Sequence, residues 1–175
     1  MDLDLAHRTA LVTGSHRGTG QIIAETLLAE GAHVYVHGFN PGEAEAAVEH
    51  LGGGIPVTGD ITTDAGAQAL ADQCSDNDIE ILINNYGTAD PGTWPSSDTD
   101  DWIEAYQKNV LSAQRMIRHC LPSMRTKNWG RVINLGTTGS SRPNSRMPAY
   151  YAAKGALANL SVGLAKEVSG TGIRV

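Results

Sequence analysis

The chain has 175 residues, 41% hydrophobic but only 5% aromatic, which suits one domain with a single core filled by aliphatic side chains and alanine. A net charge of −6 argues against a nucleic-acid partner, which needs a basic face, and no apolar run reaches the ~18 residues of a membrane span. The acidic opening Met1-Asp2-Leu3-Asp4 does not read as a signal peptide, and Cys74 and Cys120 read as lone buried thiols; a reducing cytoplasm is the expectation that fits both.

In chain order, residues 9–13 (TALVT) form a short apolar run that ends at a glycine, the pattern of a buried strand. Residues 18–30 form a helix with Ile22, Ile23, Thr26 and Leu27 on one face, stopped by Gly31. A second strand (33–37, HVYVH), a helix (42–51) closed by Gly52-Gly53-Gly54, a third strand (55–58), an Ala-rich helix (63–74) and a fourth strand (79–84) follow. After a loop with Pro91, Gly92 and Pro95, the residues Ser97, Asp98, Asp100 and Asp101 make an acidic helix start, favourable at the positive end of the helix dipole. That helix is expected over 98–125, with an irregularity near Asn109. A fifth strand (131–135, RVINL) and a long Ala- and Leu-rich helix (149–169) come next, and residues 173–175 open another strand.

Alternating strands and helices imply an α/β fold with a parallel sheet covered on both faces, and the continuous apolar strands agree. A strand that opens on the last three residues is an unusual place for a domain to stop. The sequence is therefore expected to be one domain over 1–175, a fragment lacking its C-terminal strands.

The first strand meets the first helix through Thr13-Gly14-Ser15-His16-Arg17-Gly18-Thr19-Gly20. Glycines at 14, 18 and 20 would allow a tight turn, the approach of backbone amides to a pyrophosphate, and close helix–strand packing. The helix N-terminus would offer unpaired N–H donors. Alone, this turn is also compatible with a plain βα connection. Its TG-x3-G-x-G spacing resembles the cofactor loop of the short-chain dehydrogenase/reductase (SDR) family, which usually carries Ile where this chain has Thr19. The resemblance implies a Rossmann-type doubly wound sheet in three α/β/α layers and a nicotinamide cofactor. Gly14, Ser15, Arg17, Gly18, Thr19 and Gly20 would then bind it.

Further segments extend the resemblance over essentially the whole chain. Gly59-Asp60-Ile61 is similar to the segment whose Asp bonds the adenine amino group. Asn84-Asn85-Tyr86-Gly87 is similar to an NNAG segment of the cofactor site, with Tyr86 in place of Ala. Lys108-Asn109-Val110 is similar to the segment whose Asn bends the long helix and holds a water of the proton relay. Tyr150-Tyr151-Ala152-Ala153-Lys154 carries the family's Tyr-x-x-x-Lys pair. Residues four apart share a helix face, so one face can present a phenol and an ammonium together. A free tyrosine ionises near pH ~10; a lysine cation nearby favours the phenolate, as acid–base work near neutrality requires. The family also uses this Lys to hold the nicotinamide ribose. Tyr151 is expected to pack. Where the family has Ser, thirteen residues before its Tyr, this chain has Thr137, with the same donor and acceptor capacity and a more restricted rotamer.

These residues imply a mechanism in which Thr137 orients the oxygen of a small carbonyl or alcohol substrate. Tyr150 exchanges the proton, and Lys154 and Asn109 relay it. An acidic residue about 20 positions past the glycine loop would favour NAD. Here the second strand ends His37-Gly38-Phe39-Asn40 without a carboxylate, and Gly38 leaves room for a 2′-phosphate that Arg17 could pair with. In the family a basic residue at the Arg17 position accompanies NADP, although Phe39 stands where many NADP-dependent relatives have Arg. NADP is the expected cofactor and NAD the alternative.

The six histidines suggest no metal set: His33 and His37 share a strand face without a Cys or acidic partner. Arg142, Asn144, Arg146 and Met147 would touch substrate or form a surface loop. The family packs the helices that start near Asp98 and Ala149 into homodimers and homotetramers. A non-catalytic nucleotide-binding relative and an inactive fragment stay open as alternatives.

Overall fold

The computed structural model describes residues 3–74 and 78–175; Met1 and Asp2 of the acidic opening lie outside them. Six strands, β1 (Thr9–Val12), β2 (His33–Gly38), β3 (Ile55–Thr58), β4 (Ile81–Asn84), β5 (Gly130–Asn134) and β6 (Ile173–Arg174), form one sheet. All pairings are parallel and the order is β3-β2-β1-β4-β5-β6, the doubly wound Rossmann order. The helices are α1 (Gly18–Ala29), α2 (Glu43–Leu51), α3 (Asp64–Gln73), α4 (Thr99–Tyr106), α5 (Ser112–Lys127) and α6 (Pro148–Glu167).

Strand residues alternate between two apolar layers, as a two-residue side-chain period demands. Leu11, Tyr35, Val57, Leu82 and Val132 meet Leu70 of α3, Met116, Cys120 and Met124 of α5 and Leu164 of α6. Ala10, Val12, Val34, Val36, Ile81 and Ile83 meet Ala24 of α1 and Ala47 of α2. Cys74 and Cys120 are buried free thiols, and burial pushes the Cys74 thiol up to about 12.

One sequence expectation needs correction and another is met in detail. The buried face of α1 is Gly20 and Ala24, flanked by half-buried Ile23 and Leu27, while Ile22 is 63% exposed and Thr26 is exposed. Small residues let α1 lie close on the sheet, and that close contact rotates the face away from Ile22. The expected helix over 98–125 is three segments. Gln107–Leu111 between α4 and α5 is π-helical. The Asn109 side-chain amide donates to the Ala105 carbonyl four residues back, the partner that its own backbone N–H would take in an α-helix. Such competition locally widens a helix, and π-bulges concentrate at functional sites.

Helix starts follow capping chemistry. Thr63 Oγ1 accepts the Gly66 N–H at α3, and Asp98 and Asp101 exchange side-chain and backbone bonds at α4. By contrast, Arg17 at the start of α1 makes no side-chain cap, and the first turn of that helix has no acidic residue. Among the described residues no helix is long and apolar enough to cross a membrane.

Candidate active site

The strand order reverses between β1 and β4, and ligands of open α/β sheets bind outside the carboxyl ends of the strands at such a point. A cleft of about 460 Å³ opens there. Its walls come from the glycine turn after β1 (Gly14, His16–Gly20), Phe39 after β2, Asn85–Thr88 after β4, Leu135 and Gly136 after β5, and Tyr150 and Lys154 of α6.

The glycine turn is held from behind. The Ser15 hydroxyl is fully buried; it donates to the Val12 carbonyl and accepts from the His37 amide. The buried His37 ring accepts the Gly14 N–H at Nδ1 (2.9 Å) and faces the Gly59 carbonyl through Nε2 (2.8 Å). An amide can only donate and a carbonyl only accept, so the ring is neutral with its proton on Nε2. Burial pushes this histidine down to about 4, against the Gly59 bond, which favours the charged form.

Asn85 closes the other side, donating through Nδ2 to the carbonyls of Thr13 and Gly14. A Cβ at Gly20 would stand 2.5 Å from Asn85 Nδ2 and 2.6 Å from the Gly14 oxygen, so only glycine fits. Gly14 and Gly18 adopt φ of +62° and +58°, a region that favours glycine. The uncapped start of α1 and the glycines 14, 18 and 20 thus line the cleft together, and this cradle fits a pyrophosphate.

At one end of the cleft the Phe39 ring packs on Tyr86 (4.4 Å between centroids) and on His37 (4.9 Å). Desolvation raises the Tyr86 pKa. At the other end, Lys154 is 4% exposed, and its Nζ donates to the Leu135 carbonyl (2.8 Å) and lies 6.0 Å from the Tyr150 ring centre. Burial lowers its pKa. The Tyr150 hydroxyl has no hydrogen-bond partner among the described residues, whereas the Tyr151 hydroxyl accepts from Asn144 and its ring presses on Gly139. The Asn109 amide donates to the Thr88 and Ala105 carbonyls, while its buried Oδ1 has no partner. That oxygen and the Lys154 ammonium both lie against Gly87, where a Cβ would stand 2.5 and 3.2 Å from them.

Other candidates from the sequence have different surroundings. The Asn84 side chain is buried away from the cleft wall in a chain to Asn134 and on to Ser161. The Ile61 side chain is 1% exposed in the core, which leaves only its backbone to face a ligand. Asp60 accepts from the Thr62 amide and hydroxyl. Thr137 accepts the Gly139 N–H as the cap of a 3-10 turn over Thr138–Ser140, so its own O–H proton is left to donate. Neither Asp60 nor Thr137 lines the cleft. Sequence reasoning did not place His16, Thr88, Leu135 and Gly136 on its wall, and it named Phe39 and Tyr86 only as departures from the family pattern; the signal they share is position just past the carboxyl ends of β1, β2, β4 and β5.

One expectation about the cofactor is overturned. Gly38 does not leave open space at the end of β2, because the Glu43 side chain fills it. A Cβ at Gly38 would stand 2.8 Å from Glu43 Cβ and 3.3 Å from its Oε2. The carboxylate missing from the strand arrives from the first turn of α2.

A family model for short chain dehydrogenase matches residues 8–175. The chain is 35% identical over 179 residues to the uncharacterized oxidoreductase YvrD of Bacillus subtilis, covering all of this chain and 68% of that protein. It is also 35% identical over 171 residues to the 3-oxoacyl-[acyl-carrier-protein] reductase FabG of Haemophilus influenzae, covering 96% of this chain and 71% of that one. A solved 3-oxoacyl (acyl-carrier-protein) reductase from Agrobacterium tumefaciens, with NADP bound, superposes with a TM-score of 0.90 at 33% identity, covering 97% and 67% of the two chains. An L-sorbose reductase from Gluconobacter frateurii, complexed with NADPH and L-sorbose, gives 0.95 at 29% identity, covering 100% and 69%. The sheet order, the glycine cradle and these matches agree, and the chain belongs to the short-chain dehydrogenase/reductase family of NAD(P)-dependent oxidoreductases.

Proposed function

We propose that the protein interconverts a carbonyl and an alcohol on a small molecule, with NADP(H) as cofactor and Tyr150 as the group that exchanges the proton. One observation carries this reading. A phenol with no hydrogen-bond partner among the described residues and a buried ammonium one helical turn away line the same cleft as an uncapped glycine turn.

When bound, the dinucleotide supplies or accepts the hydride. The amides of the Gly14–Gly20 turn hold its pyrophosphate, with Asn85 and His37 fixing the turn in place. Phe39 and Tyr86 offer an aromatic wall to the adenosine end, and the exposed Arg17 guanidinium pairs with a 2′-phosphate. In reduction, Tyr150 gives its proton to the substrate oxygen. Lys154 stabilises the phenolate left behind, held in position by the Leu135 carbonyl. Asn109 Oδ1, buried beside that ammonium, accepts from a water that returns the proton. The free O–H of Thr137 donates to the substrate oxygen. The names 3-oxoacyl reductase and L-sorbose reductase both denote a carbonyl substrate, which supports this reaction class.

Tyr150→Phe tests the proposal. Turnover of a carbonyl substrate should fall by roughly 10²–10⁴-fold, the usual range for a lost acid–base group, while NADPH affinity by fluorescence stays within about threefold. Retained turnover would remove Tyr150 from the chemistry.

A further inference from the structure

The end of β2 carries an anion of the protein's own. Glu43 Oε2 accepts the backbone N–H groups of Phe39 (2.8 Å) and Asn40 (3.1 Å), and Oε1 accepts from Asn40 Nδ2 (2.7 Å). His16 Nε2 is 3.8 Å from Oε2. Held chiefly by the Asn40 side chain, then by the two backbone donors, the carboxyl drops to about 2 and is ionised at any working pH. Phe39, His16 and Arg17 line the cleft, and Glu43 stands behind that wall, bonded to the Phe39 amide and 3.8 Å from His16. The glycine at position 38 makes the arrangement possible, since any side chain there would collide with Glu43.

Resting on the reading of the cleft as a dinucleotide site, we propose that Glu43 is a cofactor-selecting residue, which disfavours the 2′-phosphate of NADP relative to the 2′-hydroxyl of NAD and so opposes Arg17. Two adjacent backbone N–H groups that point at one spot make an anion seat. Here the seat is saturated by a carboxylate, which repels a second anion. A carboxylate has about four acceptor positions and three donors already engage this one, so one remains for a ribose hydroxyl. Selection between the two cofactors is then a contest between an exposed guanidinium and a fixed carboxylate, rather than the work of a residue on the strand itself.

Dissociation constants for NADPH and NADH, by fluorescence, and for adenosine 2′,5′-bisphosphate and AMP, by calorimetry, test this on the full chain. Glu43→Gln keeps an oxygen for the two amides and removes the charge. It should raise the NADPH:NADH affinity ratio at least about tenfold, or about 1.4 kcal/mol, mostly by tightening NADPH, with the same trend for the bisphosphate over AMP. Glu43→Ala, which bares the amides, carries the same expectation should the glutamine variant fold poorly. Arg17→Ala should lower the ratio. An unchanged or lower ratio in the Glu43 variants, with the wild type still binding dinucleotide, overturns the role of Glu43 alone. A wild type that binds neither dinucleotide overturns the site reading and this inference with it.

Discussion

The neutral state of His37 makes stability depend on pH in a window that can be worked out. The ring is wholly buried, accepts from Gly14 and donates to Gly59, and its pKa falls from 6.5 to about 4 on folding. Between those values the unfolded chain binds the proton and the folded chain does not, so stability falls as pH drops through the window. The contribution is fully present above pH ~6.5 and exhausted below pH ~4, about 3 kcal/mol in all. Between pH 7 and pH 5 the share from this residue is about 2 kcal/mol. Urea unfolding at half-unit pH steps should show that loss in the wild type. His119, whose pKa burial also lowers, adds slope of the same sign, so the informative quantity is the difference from His37→Asn. That variant removes the titration and the Gly59 bond, costing about 1–3 kcal/mol at pH 7, and its curve should be flatter from pH 7 to 5. Because protonation places two donors face to face at Gly14, NADPH binding should weaken over the same window in the wild type. Parallel curves for the two proteins would refute the assignment of the neutral ring.

Gly20→Ala should push the glycine turn off Asn85, since the new methyl would stand 2.5 Å from its Nδ2; a loss of NADPH affinity of at least about tenfold, or about 1.4 kcal/mol, is expected by fluorescence titration. Tyr151→Phe removes only the bond from Asn144, so steady-state kinetics should show turnover close to wild type, in contrast to Tyr150→Phe. Lys154→Met leaves the Leu135 carbonyl without its donor and takes an ammonium away from the phenol. Turnover should drop steeply, while unfolding free energy changes by no more than about 1–3 kcal/mol, the cost of one unpaired buried group.

The alternation of apolar strands with helices, and glycines at the turns, carried the parallel sheet covered on both faces, because both are local consequences of side-chain period and backbone freedom; its doubly wound order came from the family resemblance. The irregularity near Asn109 was expected from the family resemblance, and the structure supplies its cause: an amide side chain competes with its own backbone for a carbonyl one turn back. The face of α1 was misread because periodicity alone cannot say that Gly20 and Ala24, rather than Ile22, let the helix approach the sheet.

For the candidate site, the chain by itself determined which chemical groups are available: a glycine turn, a Tyr and Lys four apart, an Asn in a long helix. These depend on spacing within one element, where geometry is fixed by the backbone. Only the tertiary structure decided which of those groups face the cleft and which are spent holding it. Ser15 and His37 brace the turn, Asn84 bridges two strands towards α6, and Glu43 brings to the end of β2 a charge that the strand lacks. Such assignments depend on contacts between residues distant along the chain or across a turn, and only packing brings those together.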